Sequence, residues 1–95
     1  MRIRLDKWLW HARFAKTRTQ SATLAETGHL RLNSRPVTKA AQLVGPGDVL
    51  TLVSQGRVRV VHILATGVRR GDATEAQKLY REEGPPSSGV TPAKD

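Results

Sequence analysis

The chain contains no cysteine. That excludes a disulfide framework, a zinc ribbon and a thiol nucleophile, and it suits a cytoplasmic address. No apolar run approaches the roughly 18 residues that a membrane-spanning helix needs. The first fourteen residues alternate charge and bulk without the apolar centre of a secretory signal, so a soluble protein with no membrane partner is expected. Aromatic residues are scarce, with two Trp, one Tyr and one Phe. Acidic residues are also few, eight against sixteen Lys and Arg, for a formal charge of +8. A balance of that sign moves polyanions forward as partners: RNA, DNA or an anionic membrane surface.

The excess charge is not spread evenly. Residues 1–39 hold nine cations (Arg2, Arg4, Lys7, Arg13, Lys16, Arg18, Arg31, Arg35 and Lys39) against Asp6 and Glu26. Residues 61–95 are balanced, with five of each sign. Ordinary solvated surfaces mix the two signs, so a basic block of this kind reads as a nucleic-acid footprint in the N-terminal half. With 95 residues, 38% of them apolar, the chain has material for one modest core and no second one.

Leu5, Trp8, Leu9 and Ala12 fall at i, i+3, i+4 and i+7, which predicts an amphipathic helix over about 6–14. Thr17 and Gln20 have capping-box spacing, so a second helix should open there and end at Gly28. The corner between them, Lys16-Thr17-Arg18, sets cations beside the exposed N–H groups of a helix start, where anions are favoured. The period then changes to two. Leu30 and Leu32 alternate with His29, Arg31 and Asn33 as a short strand, with a turn at Asn33-Ser34. After a turn at Gly45-Pro46-Gly47-Asp48, residues 49–53 and 57–65 read as a hairpin joined through Ser54-Gln55-Gly56. Asp72 and Glu75 repeat the capping spacing and predict a last helix to about Glu83. Residues 84–95, with three prolines, two serines, two glycines and a single bulky apolar residue, predict a disordered tail.

The ordered set Arg4-Leu5-Asp6-Lys7-Trp8-Leu9, Lys16-Thr17-Arg18-Thr19-Gln20, Ala22, Gly28 to Asn33 and Pro46-Gly47-Asp48 resembles the S4-type RNA-binding domain. Gly71 to Gln77 and Leu79-Tyr80 extend the likeness along the chain to the stand-alone bacterial fifteen-kilodalton heat-shock protein family. The resemblance implies the αL RNA-binding motif of two packed helices and a small sheet; with the last helix above, the expectation is an α+β fold of two N-terminal helices on a small antiparallel sheet, then a C-terminal helix. Taken with the elements read above, the expected division is an S4-type RNA-binding domain over 1–66, a helical extension over 67–83 and the tail over 84–95. The resemblance further implies binding to structured rRNA and tRNA on large ribosomal subunits that carry a nascent chain, in rescue after heat stress or stalling. Two positions vary the family pattern: Thr17 stands before Arg18 where Ser is common, and Ser34 follows Asn33 where Gly is favoured.

The candidate RNA-binding residues are Arg4, Lys7, Arg13, Lys16, Thr17, Arg18, Gln20, Arg31, Asn33, Arg35 and Lys39. The cations suit phosphates, while Thr17, Gln20 and Asn33 suit phosphate or 2′-OH but also have capping and turning to do. Trp8 lies on the apolar stripe and is expected in the core. Trp10 lies off it, free either to stack on a splayed base or to wedge against the sheet or the last helix. His11, His29 and His62 lack metal-ligand spacing, so no metal or other cofactor is expected. Gly45-Pro46-Gly47 lacks the Lys-Ser/Thr ending of a phosphate-binding loop, and no nucleophile elbow is present. The reading is a monomeric, non-enzymatic binding module. A general DNA binder and a basic helix lying on a membrane surface are the alternatives.

Overall fold

The computed structural model describes residues 2–54 and 56–83; the expected tail over 84–95 lies outside them. The chain opens with a two-residue strand, β1 (Ile3–Arg4), and runs directly into α1 (Leu5–His11). Leu5, Trp8, Leu9 and Ala12 are all buried, as their spacing requires.

Helix α1 stops earlier than the expected 14. Ala12 caps it, and Arg13 turns left-handed at φ 63°. The Arg13 N–H donates to the Trp10 carbonyl (3.1 Å) and the Phe14 N–H to the Leu9 carbonyl (2.9 Å). These are the two bonds of a Schellman motif, and its usual apolar contact is made by Phe14, which stacks on Trp8 with ring centroids 5.7 Å apart. The position normally belongs to glycine. An arginine there conceals the stop from the sequence pattern.

Helix α2 (Arg18–Glu26) begins as the capping spacing predicts. The Gln20 N–H donates to Thr17 Oγ1 (3.0 Å) and the Lys16 N–H donates to Gln20 Oε1 (3.1 Å). Thr27 and then Gly28, at φ +83°, end it. The strands follow: β2 (Leu30–Leu32), β3 (Arg35–Pro36), β4 (Leu43–Val44), β5 (Val49–Ser54) and β6 (Arg57–Ile63). Strand β4 pairs with β1 as a separate two-stranded sheet, which has too few residues to show a period in the sequence. Strand β6 ends at Ile63 rather than at 65, because the Leu64 and Ala65 N–H groups both donate to the Leu79 carbonyl.

The C-terminal helix expected over about 72–83 is corrected. Asp72 does cap a helix, its Oδ1 accepting from the Glu75 N–H at 2.9 Å, but α3 is only Ala73–Gln77. Tyr80–Glu82 is instead a strand, β7, paired antiparallel with β6. The free edge of β6 offers a full ladder to these residues, and Tyr80 packs against Phe14 at 4.9 Å. Neither attraction is local, so the helical spacing of Ala73, Ala76 and Leu79 misleads.

The main sheet has five antiparallel strands in the order β3-β2-β5-β6-β7. Leu30, Leu32, Leu50, Leu52, Val61 and Ile63 are its buried side chains, and they share the core with Leu5, Trp8 and Leu9 of α1 and Ala25 of α2. By strand alternation Arg31 and its partner Thr51 fall on the opposite face.

Candidate nucleic-acid interface

The corner between α1 and α2 is rigid for reasons legible residue by residue. Asp6 is 4% exposed and receives three cationic contacts. Arg4 donates to it through Nε (3.2 Å) and Nη2 (3.1 Å), while Arg18 Nη2 stands 3.6 Å away. One buried carboxylate thus collects an arginine from β1 and another from the first turn of α2. Both guanidinium groups remain about half exposed, at 53% and 44% of side-chain area, so each keeps donors for an outside anion. Lys16 and Thr17 come just before Arg18, exposed, at a helix start with no acidic residue in its first turn. N–H groups, dipole and side-chain charge therefore act together on an anion placed there.

The remaining predicted residues distribute as follows. Lys7 is exposed on α1 and Lys39 on the segment before β4, and neither has a side-chain partner among the described residues. Arg35 lines a groove of about 510 Å³ with Arg2, Asn33 and Gln42. The Asn33 amide is engaged internally, donating to Asp48 Oδ1 (3.0 Å) and accepting from the Val49 N–H (2.9 Å). Its turn has two left-handed residues in succession, Asn33 at φ 51° and Ser34 at φ 75°. Arg31 reaches the Ser34 carbonyl at 3.5 Å but lies on the sheet face away from the helices, apart from the corner. Arg13 does not project toward an outside partner through Nε, which donates to the Gly71 carbonyl at 2.7 Å. Thr17 and Gln20 serve as caps, with their side chains still exposed.

What sequence reading missed is the segment that follows β6. Three side chains of α1 and its C-terminal turn hold it by its main-chain carbonyls. Trp8 Nε1 donates to Ala65 (2.8 Å), His11 Nδ1 meets Thr66 (3.1 Å), and Arg13 bonds Gly71 as above. This lays Arg70 over the Trp10 ring, 6.0 Å from its centroid. Across the core, Arg59 covers the Phe14 ring at 5.2 Å and forms two bonds to Glu82 (2.8 and 2.7 Å). Hydrogen bonding to Glu82 raises the Arg59 pKa, and the same bonds hold the Glu82 carboxyl below its ordinary value. Phe14, and with it the end of the corner, is pinned from the sheet side.

Among the described residues, no three His, Asp or Glu side chains are grouped to hold a metal ion. No described helix is long and apolar enough to cross a membrane.

Residues 3–50 match a family model described as the S4 domain. Over 80 residues the chain is 39% identical to the heat shock protein 15 homolog of Haemophilus influenzae, covering 84% of this chain and 60% of that protein. The chain thus spans about three-fifths of the length of that curated relative. A solved trimeric structure of heat shock protein 15 from Vibrio cholerae superposes with a TM-score of 0.78 at 38% identity, covering 86% of this chain and 82% of that one. A stretch of 57 residues is 35% identical to the small ribosomal subunit protein uS4 of Kosmotoga olearia, covering 60% of this chain and 27% of that protein.

Proposed function

Because this chain belongs to the S4 domain family, we propose that it is a non-enzymatic RNA-binding protein that grips structured rRNA or tRNA through shape and phosphate charge. The observation that carries this is the corner itself: Lys16, Arg18 and Arg4 gathered around the capped start of α2, with Asp6 buried beneath them. Double-stranded RNA presents mainly its backbone and shallow groove to a protein, so a fixed array of cations selects a fold of RNA with little reading of bases. Lys7, Arg31, Arg35 and Lys39 extend the contact; Arg13, Thr17, Gln20 and Asn33 set its geometry and reach RNA with the groups left over.

The heat-shock relatives and the ribosomal relative favour a ribosomal target. In this reading the protein acts in the cytoplasm on large subunits that retain a nascent chain, during heat stress or stalling. Cosedimentation of the protein with large subunits, with and without peptidyl-tRNA, tests that target. Matched RNA and DNA stem-loops in competition test the nucleic acid: the RNA should win, and parity would favour general nucleic-acid binding. The chain is taken to act as a monomer, whereas the Vibrio cholerae relative was solved as a trimer. Light scattering of the free protein decides between one and three chains.

A further inference from the structure

The segment after β6 lies beyond residues 3–50, which carry the S4 match, yet it adds charge to the same surface. On α1, Trp10 and Lys7 occupy the outward arc. One side of that arc is bounded by Asp6, which Arg18 of α2 approaches, and the other by His11, which holds Thr66. The indole is half-buried, tilted against His11 with centroids 5.8 Å apart, and Arg70 lies over it. The two neighbouring arginines differ in their partners. Arg69 is bound to Glu75 through two bonds (3.1 and 2.9 Å), whereas Arg70 has no acidic partner among the described residues. Its Nε is buried without a hydrogen bond, which leaves the ring of Trp10 as the group that fixes it. A core tryptophan does not need such a cover; Trp8, fully buried, has its N–H satisfied by Ala65 and two aromatic neighbours instead.

Resting on the RNA-binding reading, we infer that Trp10 and Arg70 form a platform for one unpaired nucleotide of the bound RNA. The base stacks on the part of the indole that Arg70 leaves uncovered, and the guanidinium, which has no carboxylate partner among the described residues, takes the attached phosphate. The corner then holds a paired stem by its backbone while the platform holds a base leaving that stem. Stacking of this kind accepts any base, because each has a π-face, so the site adds affinity for a junction or overhang without adding sequence preference.

The test uses the full chain and two labelled RNAs: a stem-loop with an unpaired adenosine extension, and the same molecule with abasic riboses in the extension and all phosphates retained. Fluorescence anisotropy on the wild type should show about 5- to 150-fold weaker binding to the abasic RNA. That ratio should hold constant from about 50 to 200 mM salt while both affinities fall, since stacking releases no counterions. Trp10→Leu should bring the ratio to one while binding a blunt, fully paired stem-loop like the wild type, Trp10→Phe should restore part of it, and Arg70→Gln should weaken the extended RNA alone. Equal wild-type affinity for base-bearing and abasic RNA overturns the platform, and that arm needs no mutant to fold. A Trp10→Leu protein that keeps its circular dichroism spectrum but loses the paired stem-loop equally overturns it as well. If the wild type binds neither the extended nor the paired stem-loop, the RNA-binding reading itself fails.

Discussion

Arg18 of α2 stands 3.6 Å from the carboxylate of Asp6 on α1, so the cation best placed to meet a phosphate is also a tie between the two helices. Asp6 is buried and depends on Arg4 and Arg18, whereas those arginines are half exposed and do not depend on it. The two sides of the pair therefore respond differently to substitution. Arg18→Ala should change stability by less than about 1 kcal/mol while weakening RNA binding, and Lys16→Ala should do the same. Asp6→Ala leaves two arginines crowded without their anion and should cost about 1 to 3 kcal/mol. Thermal melts beside RNA titrations separate the cases, and unchanged affinity in the Lys16/Arg18 double variant would remove the corner from the binding surface.

Trp8 is fully buried, stacks on Phe14, meets Tyr80 edge-on and donates to Ala65. Trp8→Ala should cost about 3 to 5 kcal/mol, enough to leave a domain of this size largely unfolded. Trp8→Phe keeps most of the ring but not the N–H, and should cost about 1 to 3 kcal/mol, concentrated in the segment that Ala65 anchors. Hydrogen exchange should show residues 65–71 opening before the sheet does in that variant.

Ser34 has φ 75° without a glycine's freedom, and its side chain has no partner among the described residues. Relieving the left-handed strain is worth about 1 to 2 kcal/mol, from which the greater freedom of glycine in the unfolded chain subtracts about half. Ser34→Gly should therefore stabilise the protein by about 0.5 to 1 kcal/mol, visible as a higher denaturant midpoint at unchanged slope. A destabilised variant would mean that the serine side chain has a role in the hairpin.

The Arg59 bonds depress the Glu82 pKa on folding, so the pair stabilises the native state above the ordinary carboxylate range. That contribution is lost as pH falls through the lowered folded value. Both side chains are partly exposed, which limits the effect to about 0.2 to 1 kcal/mol. Comparing Glu82→Gln with wild type from neutral pH down to about pH 3, the difference in stability should be present at neutrality and vanish in acid.

Among the described residues six candidate cations have no carboxylate partner; Arg13 is held by the Gly71 carbonyl, and the other five are Lys7, Lys16, Arg31, Arg35 and Lys39. If these five engage phosphates together with the corner pair Arg4 and Arg18, which keep one net charge over Asp6, log K against log salt should have a slope of about −4.2 to −5.4, at 0.7 to 0.9 per contact. Alanine at any one should flatten the slope by just under one and weaken stem-loops of scrambled sequence and matched shape alike. A slope near zero, or a strong preference for one sequence, would rule out recognition by backbone charge.

The features legible in the sequence are those whose cause is local. The stripe of Leu5, Trp8, Leu9 and Ala12, the reciprocal cap of Thr17 and Gln20, and the alternation of Leu30 and Leu32 each involve residues within one or two turns of each other. The basic block was legible too, because charge density is a property of composition. Tertiary structure decided everything that depends on a distant partner. It made Tyr80–Glu82 a strand, because β6 had an unpaired edge to fill, and it ended α1 ahead of a left-handed Arg13, because Phe14 could fold back onto Trp8. It tied Arg4 and Arg18 to Asp6 and Arg13 to Gly71 while leaving all three side chains exposed, and it carried Arg70 across sixty residues of chain to lie over Trp10. Spacing records only neighbours along the chain, whereas each of these outcomes is a contact between segments whose meeting is fixed by the burial of one shared core.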